Sequence, residues 1–136
     1  MSAEMQQQTA EQETTESSTG LDSNVAGALA YLLGPLTGII FYVIEEDDRF
    51  VKFHAAQSIV FLGGLVILSI VLSTLLTVLT LVPVIGWIIS AVIGLIGLLF
   101  APIMLVVWAF LMYKAYQGVE YSIPVVGAFA RSRMVE

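Results

Sequence analysis

Two long stretches of the chain carry no charged side chain, one over residues 23–44 and the other over residues 55–113. An apolar helix of about 20 residues is long enough to cross the hydrocarbon core of a bilayer. The first stretch is long enough for one such helix, and the second is long enough for two. Pro83 and Gly86 interrupt the second stretch, and this pair is typical of a turn. The pattern therefore predicts an all-α membrane protein.

The predicted spans cover about residues 25–44, 52–80 and 88–117. Together they form one transmembrane helical domain over residues 23–130. We expect three transmembrane helices. A four-helix alternative, in which a short re-entrant segment or a split last hairpin adds one element, stays open.

Composition supports the same class of protein. Of the 136 residues, 58% are hydrophobic and 12% are charged, whereas a soluble domain carries roughly 25% charged residues. The chain contains no cysteine, so neither a disulfide framework nor thiolate chemistry is expected.

The two ends of the chain differ in character from the spans. Residues 1–22 hold five acidic residues and no basic one, and we expect a disordered acidic tail because such a segment buries little apolar surface. Residues 118–136 combine apolar side chains with Arg131 and Arg133. We expect a short interfacial segment there, with its charges directed toward lipid headgroups.

Small and hydroxyl residues recur along the predicted helices. Gly34 and Gly38 lie four residues apart, and Ser69, Ser73 and Thr77 repeat at the same spacing, so each set shares one helix face. Such faces let helices approach closely in lipid, and we assign both sets to helix packing. Two alternatives stay open: a helix broken at Pro35 that exposes carbonyls to a solute, and a hydroxyl lining for a narrow path.

One polar island separates the first two predicted spans, with the sequence EEDDRFVKFHAAQS at residues 45–58. Asp47 or Asp48 can cap the second helix, whereas Glu45 and Glu46 are expected to be exposed. The candidate cluster is made of seven side chains that enter the membrane together: Arg49, Phe50, Lys52, Phe53, His54, Gln57 and Ser58. We interpret it as a hydrogen-bonding cluster at the membrane rim, with a titratable switch at His54 as the alternative.

Catalytic and metal-binding chemistry are not expected. Calcium loops need spaced oxygen ligands and a glycine turn, but no glycine lies between Gly38 and Gly63. The single histidine has no accompanying nucleophile pattern. The sequence therefore predicts no enzyme, no metal site and no cofactor.

Basic residues predict an orientation in the membrane. With three spans, all five lysines and arginines fall on one face, and lysine and arginine mark the cytoplasmic side. We expect a multi-pass protein of the cell membrane with its N terminus outside and its C terminus in the cytoplasm.

Two stretches resemble a known family: NVAGALAYLLGPLTGIIFYVIEEDDRFVKFHAAQS at residues 24–58 and AYQGVEYSIPVVG at residues 115–127. They are similar to a family of small prokaryotic membrane proteins of unknown function. This family is grouped distantly with the Tic import-channel subunit of about twenty kilodaltons in the chloroplast inner envelope. The resemblance covers about residues 24–130. It implies four spans and supplies no catalytic residues.

Two functional hypotheses follow. The first is a small membrane scaffold or accessory subunit that forms a homo-oligomer or joins a larger membrane complex. The second is an oligomeric channel or transport component, of the protein-translocation kind that the distant resemblance implies. The expected partners are the lipid bilayer and other membrane helices, and no nucleic acid.

Overall fold

The computed structural model describes residues 18–135, and this part of the chain is helical without strands. Its α-helices are α1 (Ser23–Leu32), α2 (Pro35–Ile44), α3 (Arg49–Leu79), α4 (Ile85–Tyr116) and α5 (Val126–Ala130), followed by a π-helical turn over Arg131–Val135. The predicted disordered tail falls mainly on residues 1–17, which lie outside the described residues. The predicted interfacial segment over residues 118–136 is described up to residue 135, where it forms α5 and the π-helical turn.

Two helices are long and apolar enough to cross a membrane: α3, with 31 residues, and α4, with 32 residues. At 1.5 Å per residue each extends over about 47 Å, more than the hydrocarbon thickness of about 30 Å. The prediction of an all-α protein is confirmed. The prediction of three spanning helices is wrong, as is the four-helix alternative, because residues 23–44 form two helices of 10 residues each.

The break between α1 and α2 is a reversal of the chain, where the sequence predicted one span over residues 25–44. Gly34 has φ +65°, a conformation that residues with a Cβ rarely adopt, and Pro35 starts α2 at the position where its missing N–H is not needed. The Thr37 hydroxyl accepts the Leu33 N–H and donates to the Ala30 carbonyl. Gly34 therefore forms the turn, and it also packs with Gly38 against α3, Gly34 near Leu62 and Gly38 near Ser58.

Helices α1 and α2 form a re-entrant hairpin whose two ends lie at the same end of the molecule. The Ser23 hydroxyl donates to Asp48, which begins α3, and Asn24 Nδ2 donates to the Tyr116 carbonyl at the end of α4, 2.8 Å away. Asn24 thus tethers α4, and Asp22 occupies the N-cap position of α1. We call this the basal end, and the end with the α3–α4 turn the distal end.

The hairpin tip reaches the middle of α3. A Cβ atom added at Gly34 would lie 3.8 Å from the Leu62 Cβ atom, and Leu62 is about 20 Å along α3 from its first residue. Gly38 lies against Ser58 and the Ala55 carbonyl, where an added Cβ would come within 3.1 Å of both. The absence of a side chain at Gly38 thus brings α2 against α3.

Helix α1 is a wedge between the basal halves of α3 and α4. Ala28 and Tyr31 of α1 form a buried cluster with Leu111 and Ala115 of α4. The Trp108 indole N–H donates to the Tyr31 carbonyl over 2.6 Å. Because α1 separates them, α3 and α4 make few contacts with each other.

The same short turn occurs twice, in VPVIG at residues 82–86 and IPVVG at residues 123–127. Val84 and Val125 have φ of 65° and 68°. In each turn the next amide donates to the proline carbonyl over 2.8 Å, so each is a γ-turn of the strained, positive-φ kind. Each turn starts a helix and ends at a glycine, Gly86 or Gly127, where an added Cβ would come within 1.9 Å of a neighbouring atom.

The re-entrant hairpin makes a topology prediction. Reporters fused after Gly20 and after Gly118 should give signals from the same side of the membrane, because both positions lie at the basal end. A third reporter within the distal turn, at residues 81–82, should report from the opposite side. Opposite signals from Gly20 and Gly118 would instead restore a first spanning helix.

Candidate functional site

A buried polar network lies near the basal end, between α1 and α3. The Tyr31 hydroxyl is 2.7 Å from His54 Nδ1, and Gln57 Nε2 donates to the same hydroxyl over 2.8 Å. No member of the network is more than 1% exposed. Three polar side chains are therefore paired with one another in an apolar surrounding, where an unpaired group is costly.

One tautomer of the neutral histidine satisfies every donor in this network. The Tyr31 oxygen accepts from Gln57 and the Tyr31 hydroxyl donates to His54 Nδ1, an assignment that puts the imidazole hydrogen on Nε2. The Val119 backbone lies beside the ring. Within residues 18–135, however, no acceptor is at a distance and angle that make a hydrogen bond to Nε2. His54 therefore acts as an acceptor in the network.

Aromatic rings surround the imidazole. Phe50, Phe53 and Tyr31 each meet His54 edge to face, with ring centroids 4.5, 5.3 and 5.4 Å away. Aromatic pairs prefer such edge-to-face arrangements. The histidine is held by packing as well as by its hydrogen bond, which suits a rigid structural role.

The segment after α4 closes the network from the basal side. Gln57 Nε2 also donates to the Tyr121 carbonyl over 2.9 Å, and the Ile123 N–H donates to Gln57 Oε1 over 2.8 Å. The Arg131 guanidinium lies 4.8 Å from the centroid of the Phe53 ring. One glutamine thus joins α1, α3 and the C-terminal segment.

The structure brings four of the seven cluster residues together in the interior. Phe53, His54, Gln57 and Ser58 are at most 1% exposed, and the Ser58 hydroxyl donates to the Gly34 carbonyl over 3.0 Å. The other three lie toward the surface: Phe50 is partly exposed, Arg49 is exposed, and the Lys52 ammonium lies 5.1 Å from the centre of the Tyr42 ring.

Tyr31 and Trp108 are the site residues that sequence reasoning missed. Both lie within apolar stretches of their helices, and aromatic residues with a polar tip usually find a hydrogen-bond partner when buried. That property is a signal for a buried contact, but it does not identify the partner. The pairing of Tyr31 with His54 depends on the reversal at Gly34.

Glu45 was expected to be exposed and is instead fully buried. One of its carboxylate oxygens accepts from the Ser18 amide, the Ser18 hydroxyl and the Asp47 and Asp48 amides. Burial opposes the charged form, but the hydrogen bonds from Ser18, Asp48 and Asp47 outweigh it and lower the pKa of Glu45. This carboxylate holds residue 18 onto the loop before α3, although that residue belonged to the predicted disordered tail.

Glu45 should therefore give the protein an acid-labile contact. Because its pKa is lower in the folded state, its stabilisation is complete above the unfolded pKa of about 4.3 and is lost as pH falls through the folded value. We expect the wild type to lose stability from about pH 5 downward more steeply than Glu45→Gln. Thermal unfolding in detergent across this range measures the difference. Glu46→Gln, at an exposed neighbour, is the control and should retain the wild-type slope, so equal slopes for all three proteins would contradict this role.

The hydroxyl stripe lies away from the polar network, on the exposed half of α3. The hydroxyls of Ser69 and Thr77 donate to the carbonyls of Leu65 and Ser73 in the same helix, each over 2.8 Å. Within residues 18–135, the Ser73 hydroxyl has no such partner. The hydrogen bonds of Ser69 and Thr77 therefore stay within α3, and the Ser73 hydroxyl is left for an outside acceptor.

The buried network of Tyr31, His54 and Gln57 has a structural role, and we call it the structural lock. Asp48 caps α3 by accepting from the Phe50 and Val51 amides, so of the two caps that the sequence left open, Asp47 and Asp48, the second is used. In residues 18–135, no group of three or more His, Cys, Asp or Glu side chains is arranged to hold a metal ion. What the buried network can do is fix the depth and angle of the re-entrant hairpin.

Comparison with known families places this architecture in context. Residues 21–130 match the Magnetosome magnetite crystal formation protein family. This range includes the re-entrant hairpin, both membrane-length helices and the segment that closes the polar network.

Archaeal membrane proteins are similar over most of the chain. The UPF0132 membrane protein MJ1443 of Methanocaldococcus jannaschii is 43% identical over 115 residues, which is 85% of this chain and 91% of the relative. A UPF0132 membrane protein of Archaeoglobus fulgidus is 39% identical over 114 residues, 84% and 97% of the two chains. No solved structure matches.

Proposed function

Since the chain belongs to the Magnetosome magnetite crystal formation protein family and resembles archaeal membrane proteins over most of its length, we propose that it is a small membrane scaffold that assembles with copies of itself. We do not extend magnetite formation to this chain. Its loop acids Glu45 and Asp48 already accept backbone hydrogen bonds. The proposal includes no catalytic role and no nucleic-acid partner.

The observation that carries the proposal is the sparse packing between the distal halves of α3 and α4, where few residues touch beyond the turn and the Ser90 hydroxyl, which donates to the Leu76 carbonyl. The most apolar part of each helix is unburied. Their facing sides carry small residues: Ser69 and Ser73 on α3, and Gly94 and Gly97 on α4, where an added Cβ would meet nothing within 4 Å. Lipid tails pack equally well against large side chains, whereas small residues favour the close approach of another helix.

The two helices are separated by a groove that is open to the outside. A groove of about 570 Å³ lies above the hairpin tip, with Pro35 at its base and Ser69 and Ala101 on its walls. The hairpin closes this groove toward the basal end. We infer that a helix of a second copy completes the groove and reaches the Ser73 hydroxyl.

The positions of the basic residues support an orientation for this assembly. All five lie at the basal end: Arg49, Lys52, Lys114, Arg131 and Arg133. The distal turn has none, and lysine and arginine favour the cytoplasmic side. We propose that the basal end is cytoplasmic. Because α1 starts there, the segment before it is also cytoplasmic, which replaces the outside N terminus expected for three spans.

Crosslinking tests the assembly directly, since the chain has no cysteine of its own. Ser73→Cys and Gly94→Cys place a thiol on the facing sides of α3 and α4. Val71→Cys and Leu99→Cys are matched controls on the opposite faces by helical spacing. Oxidation in membranes should give covalent dimers at Ser73 and Gly94 at several times the control yield. Equal yields at all four positions would contradict self-assembly through this groove.

A channel or transport component is the second candidate. The distant resemblance to the Tic import-channel subunit suggests it, and the mid-depth groove beside Ser69 is the feature that favours it. One chain with two spanning helices cannot enclose a pore, so the channel would form only in the oligomer. Flux into liposomes should then fall for Ser73→Leu and Thr77→Leu. Unchanged flux would remove the hydroxyl stripe from the mechanism.

A further inference from the structure

A second cavity, of about 410 Å³, opens at the basal end, separate from both the polar network and the groove. It lies where α1 and α3 begin and α4 ends. Its lining includes Ser23, Asn24, Asp48, Phe50, Tyr116 and Gln117. Pockets that bind small groups have volumes of roughly 300–1,000 Å³. Neither the proposed assembly nor the structural lock uses this cavity.

The polar groups of this pocket are mainly acceptors. Asp48 uses one carboxylate oxygen to cap α3 and the other to accept from Ser23, and a carboxylate has about four acceptor sites. Asn24 directs its amide N–H₂ to the Tyr116 carbonyl, so its side-chain oxygen remains an acceptor. The C-terminal end of α4 adds partial negative charge and the starts of α1 and α3 add partial positive charge, so the full charge of the Asp48 carboxylate is what attracts a cation. None of the lining residues is basic.

Two aromatic side chains complete the lining. Phe50 and Tyr116 belong to different helices and both border the cavity. The face of an aromatic ring attracts a cation electrostatically, and an ammonium has three N–H donors for the surrounding oxygens. We propose that this pocket binds a primary ammonium group, held by the Asp48 carboxylate and bordered by the rings of Phe50 and Tyr116.

The position of the pocket favours a lipid as the source of that group. Tyr113 and Tyr116 are more than half exposed where α4 ends, and tyrosine is enriched where membrane meets water. The pocket is therefore at headgroup depth, next to the ends of both spanning helices. The ligand that fits is the ethanolamine headgroup of a membrane lipid, and a free primary amine shares the same chemistry.

Lipid retention by the full chain tests the proposal. Protein extracted from vesicles of equal parts phosphatidylethanolamine and phosphatidylglycerol is analysed by native mass spectrometry. The wild type should retain phosphatidylethanolamine in several-fold excess. Asp48→Asn keeps a side chain that caps α3 equally well but removes the charge, and Tyr116→Leu removes an exposed ring. Both variants should lose the excess.

Two control variants keep the result specific to the pocket. Glu46→Gln removes an exposed acid of the same loop, and Tyr113→Leu removes an exposed ring of the same helix, and neither residue lines the cavity. Both should retain the wild-type excess. Adding ethanolamine alone separates the sources: displacement of lipid at equal concentration would assign the pocket to free amines. No excess in the wild type, or an equal excess in all five proteins, would overturn the proposal.

Discussion

Replacing Gly86 by alanine is expected to destabilise the protein by about 3 kcal/mol, because overpacking a tight contact typically costs 1–3 kcal/mol and a rigid obstacle raises the cost. An added Cβ would lie 1.9 Å from the Leu79 carbonyl oxygen and 3.0 Å from its carbonyl carbon. These are backbone atoms at the end of α3, so a side-chain rotation cannot relieve the collision. The α3–α4 turn must therefore open. Unfolding in mixed micelles, followed by circular dichroism, measures the loss.

Gly94 provides the matched control for this prediction. It lies in the same helix, and an added Cβ there would meet nothing within 4 Å. In the monomer, at high dilution in micelles, Gly94→Ala should be neutral or stabilising by up to about 1 kcal/mol, because alanine favours helix more than glycine does. If Gly86→Ala unfolded at the same denaturant concentration as Gly94→Ala, the close contact at the turn would be disproved.

Replacing Gln57 by leucine is expected to lower the free energy of unfolding by about 3 kcal/mol, because each buried polar group left without a partner costs about 1–3 kcal/mol. Leucine is similar in size but cannot pair with the Tyr31 hydroxyl, the Tyr121 carbonyl or the Ile123 amide. The C-terminal segment should then detach from α3. Limited trypsin digestion, which cleaves after Arg131 and Arg133, should proceed faster in the variant than in the wild type.

Ser69→Ala is the control for the glutamine variant. Its hydroxyl lies on the exposed half of α3 and bonds only within its own helix, so its loss should change stability by a few tenths of a kcal/mol at most. If Gln57→Leu were as stable as the wild type and were digested at the same rate, the C-terminal segment would be held by contacts other than those of Gln57.

The elements predicted best from sequence are those set by chain composition. The starts and ends of α3 and α4 lie close to the predicted spans over 52–80 and 88–117, because an apolar run can end only where the chain meets water. The Asp48 cap was also predictable, since capping is a local interaction between a side chain and the next two or three amides. Neither feature depends on distant residues.

The candidate site was predicted in part. His54, Gln57 and Ser58 share one turn of α3, so their grouping follows from helical spacing. Their partners are distant in sequence: Tyr31 pairs with His54, and Ile123 pairs with Gln57. Glu45 was assigned to the surface because acids usually are exposed, and only the approach of Ser18 and the folding of the loop bury it.

The sequence by itself determined that this is a helical membrane protein with its charges gathered at one end, because hydrocarbon excludes ions from the long apolar runs. Tertiary structure alone decided whether residues 23–44 cross the membrane or turn back. A glycine–proline pair permits either a kink or a reversal. The reversal is stabilised by contacts far along the chain, where Tyr31 meets His54 and Trp108 and α1 separates the two spanning helices.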